Sequence, residues 1–188
     1  MEALLKLRRL MEPPPPKSEK CELCGAVISP GHSHVVDIER HRLLCACRPC
    51  SLLFANSAAA GGKLRSVPRR YRNVPNVDLA AENIPAGAAF FIRDSTANRL
   101  RVFYPSPAGA TESEISPETF LNARPFALPE PDVEALLVTG RAAWIVPVDV
   151  CYELIGRIRQ SWRGFAGGRD ALRRIDDFLD RLKETEPA

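Results

Sequence analysis

Two cysteine pairs constrain this sequence more than any other feature. Cys21 and Cys24 form one C-x-x-C pair, Cys47 and Cys50 form another, and residues 25–46 separate them. Each C-x-x-C turn directs two sulfur atoms at one ion from a tight backbone loop, and two such turns complete a tetrahedron. The spacing therefore predicts a metal site of four thiolates, arranged as the two knuckles of a zinc ribbon or a treble clef.

The cellular compartment decides whether these thiols bind a metal ion or form disulfides. No apolar run approaches the ~18 residues that a membrane span needs, and Arg8 and Arg9 interrupt the apolar stretch that a signal peptide requires. We therefore expect a cytoplasmic protein without a membrane span, and in that compartment stable disulfides are rare. Zinc is the predicted ion. Iron in a rubredoxin-like site is the alternative, because iron also takes four thiolates.

The segment between the pairs predicts how they are joined. "HSHVVDIERHRLLCAC" contains two strand-like runs around Arg40–His41, which favours a β-hairpin. "SLLFANSAAA" follows Cys50 with helical composition, and a helix that begins at the last knuckle is typical of a treble clef. Gly25 permits the positive φ that the first turn needs. A module this short has too little core to fold alone, so the metal would supply folding free energy.

A third thiol near the second pair leaves several interpretations open. Strand alternation places Cys45 on the same face as Cys47, towards the metal. It could be a small packing residue beneath the site, a ligand that replaces Cys47, or a reactive or redox thiol. His32, His34 and His41 also lie between the pairs. Beside four thiolates they are surplus as ligands, and we expect them on the hairpin with a hydrogen bond to a thiolate sulfur.

The remaining composition predicts how the chain is organised. The expected parts are an N-terminal helix and polyproline spacer (1–20), the zinc module (21–57), an irregular basic linker (58–76) and a larger domain (77–188). The predicted fold class is α+β: a small zinc-ribbon or treble-clef module, followed by an α+β domain with a β-hairpin and a C-terminal helical hairpin.

Several stretches support the α+β domain. "AAFFIRDSTANRLRVFYP" predicts a β-hairpin with its turn at Ser95–Asn98, and "SPETFLNA" predicts a short helix. "DVEALLVTG" favours a helix over a strand, and "AAWIVPVD" predicts a buried strand whose proline belongs at a sheet edge or a strand end. Two apolar patterns of helical period, in 149–162 and 172–182, predict antiparallel amphipathic helices, with Cys151 in the core.

Two other functions have partial support in the sequence. The stretch "KLRSVPRRYR", residues 63–72, carries enough positive charge to attract phosphate, which would suit a nucleic-acid-binding protein. The acidic segment 111–134 is an internal counterpart for the same charges. An HNH-type nuclease also places its core between C-x-x-C pairs, but it needs histidines that the helix after Cys50 lacks. That helix offers only Asn56 beside His34 and His41 of the hairpin.

One family resemblance extends over most of the chain. The stretches that carry it are "CELCG", "HSHVVDIERHRLLCACRPCSLLF", "FFIRDS", "VFYPSPAGATESE", "PDVEALLV" and "PVDVCYELIGRIRQSWRGFAGG". Together they resemble an uncharacterised bacterial family, classed as a domain of unknown function, from Cys21 to about Leu182. Cysteines 21, 24, 45, 47 and 50 match its pattern. Its members tend to be encoded beside uptake nickel–iron hydrogenase genes, which implies an accessory or maturation role by association.

The leading functional prediction combines the metal site with this resemblance. We expect a zinc-stabilised, non-enzymatic accessory protein that acts through protein–protein contacts, with a hydrogenase component as the expected partner. The first alternative is a nucleic-acid-binding zinc protein. The second is an HNH-like nuclease or a thiol-dependent enzyme. No candidate catalytic residue follows from the sequence.

Overall fold

A computed structural model of the chain describes residues 18–75, 87–112, 129–139, 142–160, 162 and 168–185. These ranges contain strands in two sheets, three α-helices and one short 3₁₀ helix, so the fold mixes α and β structure. The predicted N-terminal helix, the polyproline spacer and the helix at "SPETFLNA" lie outside the described residues. Within the described ranges, no helix is both long and apolar enough to cross a membrane.

The first sheet is small and carries the region of the cysteine pairs. Its elements are β1 (Ser33–Asp37), β2 (Arg42–Ala46), α1 (Arg48–Leu53), a 3₁₀ helix (Ala59–Gly62) and β3 (Leu64–Ser66). The strands are ordered β2-β1-β3 with antiparallel pairing. The predicted β-hairpin between the cysteine pairs is therefore confirmed. The helix after the second pair begins as expected but ends at Leu53, before the alanine run that was predicted to continue it.

The second sheet is larger and entirely antiparallel. Its strands are β4 (Arg72–Val74), β5 (Ala88–Asp94), β6 (Arg99–Ser106), β7 (Gly109–Glu112), β8 (Glu134–Thr139) and β9 (Ala143–Pro147). They are ordered β4-β9-β8-β5-β6-β7. The predicted hairpin of β5 and β6 is confirmed. β9 is an interior strand and Pro147 is its last residue, so the strand-end alternative for that proline is the one observed.

Two predictions of local structure were wrong. "DVEALLVTG", for which a helix was favoured, contains strand β8. All but one of its strand residues are buried, and a short apolar run of this kind cannot be told from a helix by its periodicity. The segment 58–76 is also not irregular throughout. It contributes β3 to the first sheet and β4 to the second, in strands too short to show an alternating pattern.

The two predicted C-terminal amphipathic helices are α2 (Val148–Gln160) and α3 (Gly168–Thr185). α2 and α3 contact each other, and α2 also contacts the second sheet. Among the helix residues whose burial is described, the buried side chains are Val148, Val150, Cys151, Leu154, Ile155, Ile158, Ile175, Phe178, Leu179 and Leu182. They join Phe90, Leu137 and Trp144 of the sheet in one hydrophobic core, with Cys151 inside it as expected.

The first sheet packs between this core and the cysteine pairs. Val36 and Ile38 belong to the main core. On the opposite face of β1, Val35 packs in a separate cluster with Leu44 and Cys21. Each large apolar side chain buried in this way contributes roughly 1.5–3 kcal/mol. The cysteine region and the larger sheet are therefore joined by apolar packing, while the division into modules 21–57 and 77–188 stays a prediction.

Candidate metal centre

The first cysteine pair lies in a tight backbone turn. The amide of Gly25 donates to the carbonyl of Cys21 at 2.8 Å, and the amide of Cys21 donates to the carbonyl of Ala26 at 2.8 Å. Gly25 adopts a φ of +77°, the left-handed conformation expected for it. This turn brings the side chains of Cys21 and Cys24 to one side of the loop.

The second pair lies where β2 ends and α1 begins. Cys47 occupies the N-cap position of α1, and the amide of Ser51 donates to the carbonyl of Cys47 at 3.0 Å. Cys50 therefore lies within the first turn of the helix. Glu22 joins the first turn to β2: its amide donates to the carbonyl of Cys45 at 2.9 Å, and its carboxylate accepts from the amide of Cys45 at 2.7 Å.

The four predicted cysteines come together in space. The Sγ atoms of Cys21, Cys24, Cys47 and Cys50 lie 3.5–3.9 Å apart, with 3.7 Å between Cys24 and Cys47. A tetrahedron with metal–sulfur bonds of ~2.3 Å has sulfur–sulfur edges of ~3.8 Å. A disulfide would instead need ~2.05 Å between two sulfurs. The cluster therefore has the dimensions of a site that could hold one metal ion.

The acid–base properties of these thiols differ widely. The backbone amide of Cys47 lowers the pKa of Cys21 to about 6. Side-chain contacts with Cys47 and Cys24 raise the pKa of Cys50 to about 12. Four thiolates this close repel one another, so they cannot all ionise near neutral pH without a neighbouring cation. A bound metal ion supplies that charge and deprotonates its thiol ligands outright.

Cys45 is not one of the four sulfurs. Instead, its Sγ groups with ring nitrogens of His32 and His34, all within 4.8 Å of one another. Because Cys47 occupies its expected place in the cluster, the geometry does not favour Cys45 as its replacement. Burial raises the pKa of Cys45, and the carboxylates of Glu22 and Glu19 raise it further. A reactive thiolate needs the opposite environment, so the redox interpretation also loses support.

The histidines make contacts that differ from those expected. Within the described ranges, the polar partners of the three histidines are oxygen atoms, and none is a sulfur. Nδ1 of His32 lies 3.1 Å from the carbonyl oxygen of Ser29. Nδ1 of His34 lies 2.8 Å from the Asp149 carboxylate at the start of α2. Nε2 of His41 lies 3.8 Å from the carboxylate of Asp94. The prediction of histidine hydrogen bonds to thiolate sulfur is therefore replaced by carbonyl and carboxylate partners.

Sequence reasoning did not find Asp149 or the grouping of His32, His34 and Cys45. The spacing of His32 and His34 by two residues was a usable signal, because such residues share one face of a strand. The register that pairs His34 with Cys45 also follows from the predicted hairpin once its turn is placed. Asp149 had no local signal, because it lies far along the chain from His34.

The comparisons with known proteins add family membership to this geometry. No curated protein and no solved structure matches the chain. The sequence profile of one family matches residues 20–186, which include all the cysteines and both described sheets. The chain therefore belongs to the family of unknown function DUF5947.

Proposed function

We propose that this protein is a zinc-stabilised, non-enzymatic accessory protein that acts through protein–protein contacts. The observation that carries the metal part is the set of four sulfur atoms at tetrahedral spacing. Structural zinc sites are closed in this way, with four protein ligands and no open position. In this proposal Cys21, Cys24, Cys47 and Cys50 hold the ion in a zinc-ribbon or treble-clef knuckle pair.

The contact surface has support beside the same cluster. Val27, Leu52 and Leu53 are 67%, 55% and 67% exposed, which is unusual for large aliphatic side chains. Val27 follows the first cysteine pair closely, and the two leucines end the helix that contains Cys50. Protein interfaces have apolar centres from which charged residues are depleted. A partner that covers these side chains would use the metal site as a rigid base.

The nucleic-acid alternative loses support from the contacts of the basic stretch. Arg65 pairs with Glu130, and it also donates to the carbonyl of Pro131 at 3.0 Å. Arg70 forms two hydrogen bonds with Glu134. Two of the arginines that could attract phosphate are thus paired with acidic side chains of the same chain, Glu130 and Glu134, both of which belong to the acidic segment.

The nuclease alternative also loses support, because groups that it would use have other partners among the described residues. His34 contacts Asp149, and the side-chain carbonyl of Asn56 accepts from the amide of Ala58 at 2.9 Å, where it stabilises a turn. His34 and Asn56 are therefore engaged in separate contacts of the fold. The partner itself stays a prediction, and the family resemblance favours a component of nickel–iron hydrogenase assembly.

Metal analysis tests the first part of the proposal. Protein passed over a chelating resin that strips weakly held ions should retain about one zinc ion per chain. A red protein with sulfur-to-iron charge-transfer bands would show the rubredoxin-like alternative instead. Folded, reduced protein without any tightly held metal would contradict both.

Pull-down from a lysate of the source organism, followed by mass spectrometry, tests the second part. A variant with Leu52→Glu and Leu53→Glu should keep its zinc but lose the captured protein. A variant with Arg159→Glu and Gln160→Glu, which places two acids on the exposed face of α2, is the matched control. Capture of a protein through apolar contacts should persist at high salt. Binding to nucleic acid through phosphate contacts would instead weaken steeply with salt. Salt-sensitive capture of nucleic acid would favour the alternative.

A further inference from the structure

A second group of metal-binding side chains lies on the hairpin, apart from the four cysteines. His32 precedes β1 and His34 lies within it, two residues apart, so both belong to one face of the extended chain. Cys45 is the direct cross-strand partner of His34 on β2. Directly opposed residues have Cβ atoms ~4.5–5.5 Å apart. The register of the hairpin thus places His34 beside Cys45, and His32 lies next to them just before the strand.

The ligand atoms of these residues converge. One ring nitrogen of each histidine and the Sγ of Cys45 lie within 4.8 Å of one another. The two imidazole rings are 4.7 Å apart between centroids and tilted by 57°. The three residues are partly buried, so they are held in place by the fold and can still be reached from solvent. Separation and burial both suit the binding of one ion.

The hydrogen bonds of the two histidines select which nitrogen is free to bind. The carboxylate of Asp149 and the carbonyl of Ser29 are acceptors, so Nδ1–H is the donor in both rings. Nε2 then carries the lone pair. Metal-binding histidines characteristically donate their other nitrogen to a carboxylate or a backbone carbonyl. His32 and His34 each already have such a partner.

One ring of this group also carries an unsatisfied buried atom. Nε2 of His32 is buried and has no hydrogen-bond partner among the described residues. Burying a polar atom without a partner is unfavourable by about 1–3 kcal/mol, and such atoms are rare in native proteins. An ion bound between the imidazoles and the thiol would satisfy this nitrogen.

The surroundings supply negative charge and an entry path. The carboxylate of Asp149 contacts His34, and that of Glu22 accepts from the amide of Cys45 at 2.7 Å. Both acids favour a bound cation. Two guanidinium groups line the same cleft: that of Arg69 donates to the carbonyl of Gly31 at 2.6 Å, and that of Arg70 is paired with the carboxylate of Glu134. His32 and His34 also line an open cleft between the first sheet and α2, through which an ion can enter.

We propose that His32, His34 and Cys45 form a second metal site, which binds a divalent transition-metal ion of the zinc class through two imidazole nitrogens and one thiolate. Imidazole and thiolate ligands suit zinc, cobalt and nickel rather than magnesium or calcium. Three protein ligands leave one tetrahedral position for water, unlike the closed site of four cysteines. The second site therefore exchanges its ion more readily, and it goes beyond the structural role proposed above.

Titration of the zinc-loaded, full-length protein with Co²⁺ tests this site. After chelating resin has left only the tightly held zinc, the wild type should bind one further equivalent of Co²⁺ and develop a sulfur-to-cobalt charge-transfer band. Cys45→Ser and His32→Gln should each lose this equivalent while keeping the first zinc. His41→Gln is the matched control and should keep both ions, because His41 lies outside the group.

A positioning variant adds a quantitative test. Asp149→Asn should weaken Co²⁺ binding at the second site by about 10–100-fold, because removal of such a partner disorients the imidazole. A wild type that binds no second equivalent would overturn the proposal even if a variant failed to fold. Equal second-equivalent binding by wild type and Cys45→Ser would also overturn it. The first zinc is measured separately in the wild type, by its retention after chelating resin, so failure of the four-cysteine site and failure of this second site are distinguishable.

Discussion

Arg70 donates two hydrogen bonds to the carboxylate of Glu134, from Nε to Oε1 at 2.8 Å and from Nη2 to Oε2 at 2.7 Å. Glu134 is fully buried at the start of β8, and the amide of Glu130 also donates to its carboxylate, at 2.8 Å. Arg70 belongs to the stretch 58–76, for which the sequence predicts an irregular basic linker. This pair therefore links the segment between the two sheets to the interior of the larger one.

Loss of this pair should destabilise the protein strongly. Removing one partner of a buried ion pair typically costs about 3–5 kcal/mol, because the other charge is left buried and unpaired. We expect Arg70→Met to fall near the lower end, since the Arg70 side chain is half exposed. Urea unfolding measures the effect. Glu153→Gln, which breaks the exposed pair with Arg157, is the control and should cost under about 1 kcal/mol. Equal effects for both variants would contradict the prediction.

Two cysteine variants should distinguish the ligand set of the first site. Cys45→Ala should retain the tightly bound zinc, whereas Cys47→Ala should release it or unfold the region. The apparent ~10–16 kcal/mol of zinc binding in such modules is also their folding free energy, and a site with three thiolates keeps only part of it. Zinc stoichiometry after chelating resin decides the question. Retention by Cys47→Ala with loss by Cys45→Ala would make Cys45 the ligand.

The lowered pKa of Asp94 makes the free energy of unfolding depend on pH in the acid range. Burial alone would raise the pKa of Asp94, but hydrogen bonds from Thr96 and Ala97 and the charge of His41 hold it below its ordinary value of 3.8. The unfolded chain therefore takes up a proton before the folded chain does. The stabilisation is present above about pH 4 and is lost as the pH falls through the lowered pKa.

Asp94→Asn measures this contribution. Its unfolding free energy should be lower than that of the wild type by about 1–3 kcal/mol at pH 6, and the difference should shrink as the pH falls below 4. Asp177→Asn, at an exposed position of α3, is the control. A difference between Asp94→Asn and wild type that is constant down to pH 2 would mean that the Asp94 charge is not responsible.

Removal of the metal should weaken the whole protein rather than only its N-terminal part. Val36, Ile38 and Val67 lie in the same core as α2, so disorder in the first sheet would expose that core as well. We expect one thermal transition, which moves to a lower temperature after chelation of zinc. Differential scanning calorimetry with and without chelator measures it. Two separate transitions, with only one sensitive to the chelator, would instead support independent modules at 21–57 and 77–188.

Local signals in the sequence were enough for several elements. The hairpin of β1 and β2, the hairpin of β5 and β6, and the two C-terminal helices all follow from short runs of apolar and polar residues. β8 escaped this reasoning because a strand buried on both faces has no alternation. β3 and β4 escaped it because each has three residues, and such strands form only where a neighbouring strand is already in place.

The sequence by itself determined the spacing of the cysteine pairs, and with it the turns that bring four sulfurs to one point. This was possible because a C-x-x-C turn is a local structure that depends on a few adjacent residues. Only the tertiary structure decided the environment of His34, whose carboxylate partner Asp149 lies 115 residues later in the sequence, at the start of α2. It likewise paired Arg70 with Glu134, since contacts of this range depend on how whole sheets pack and leave no local pattern.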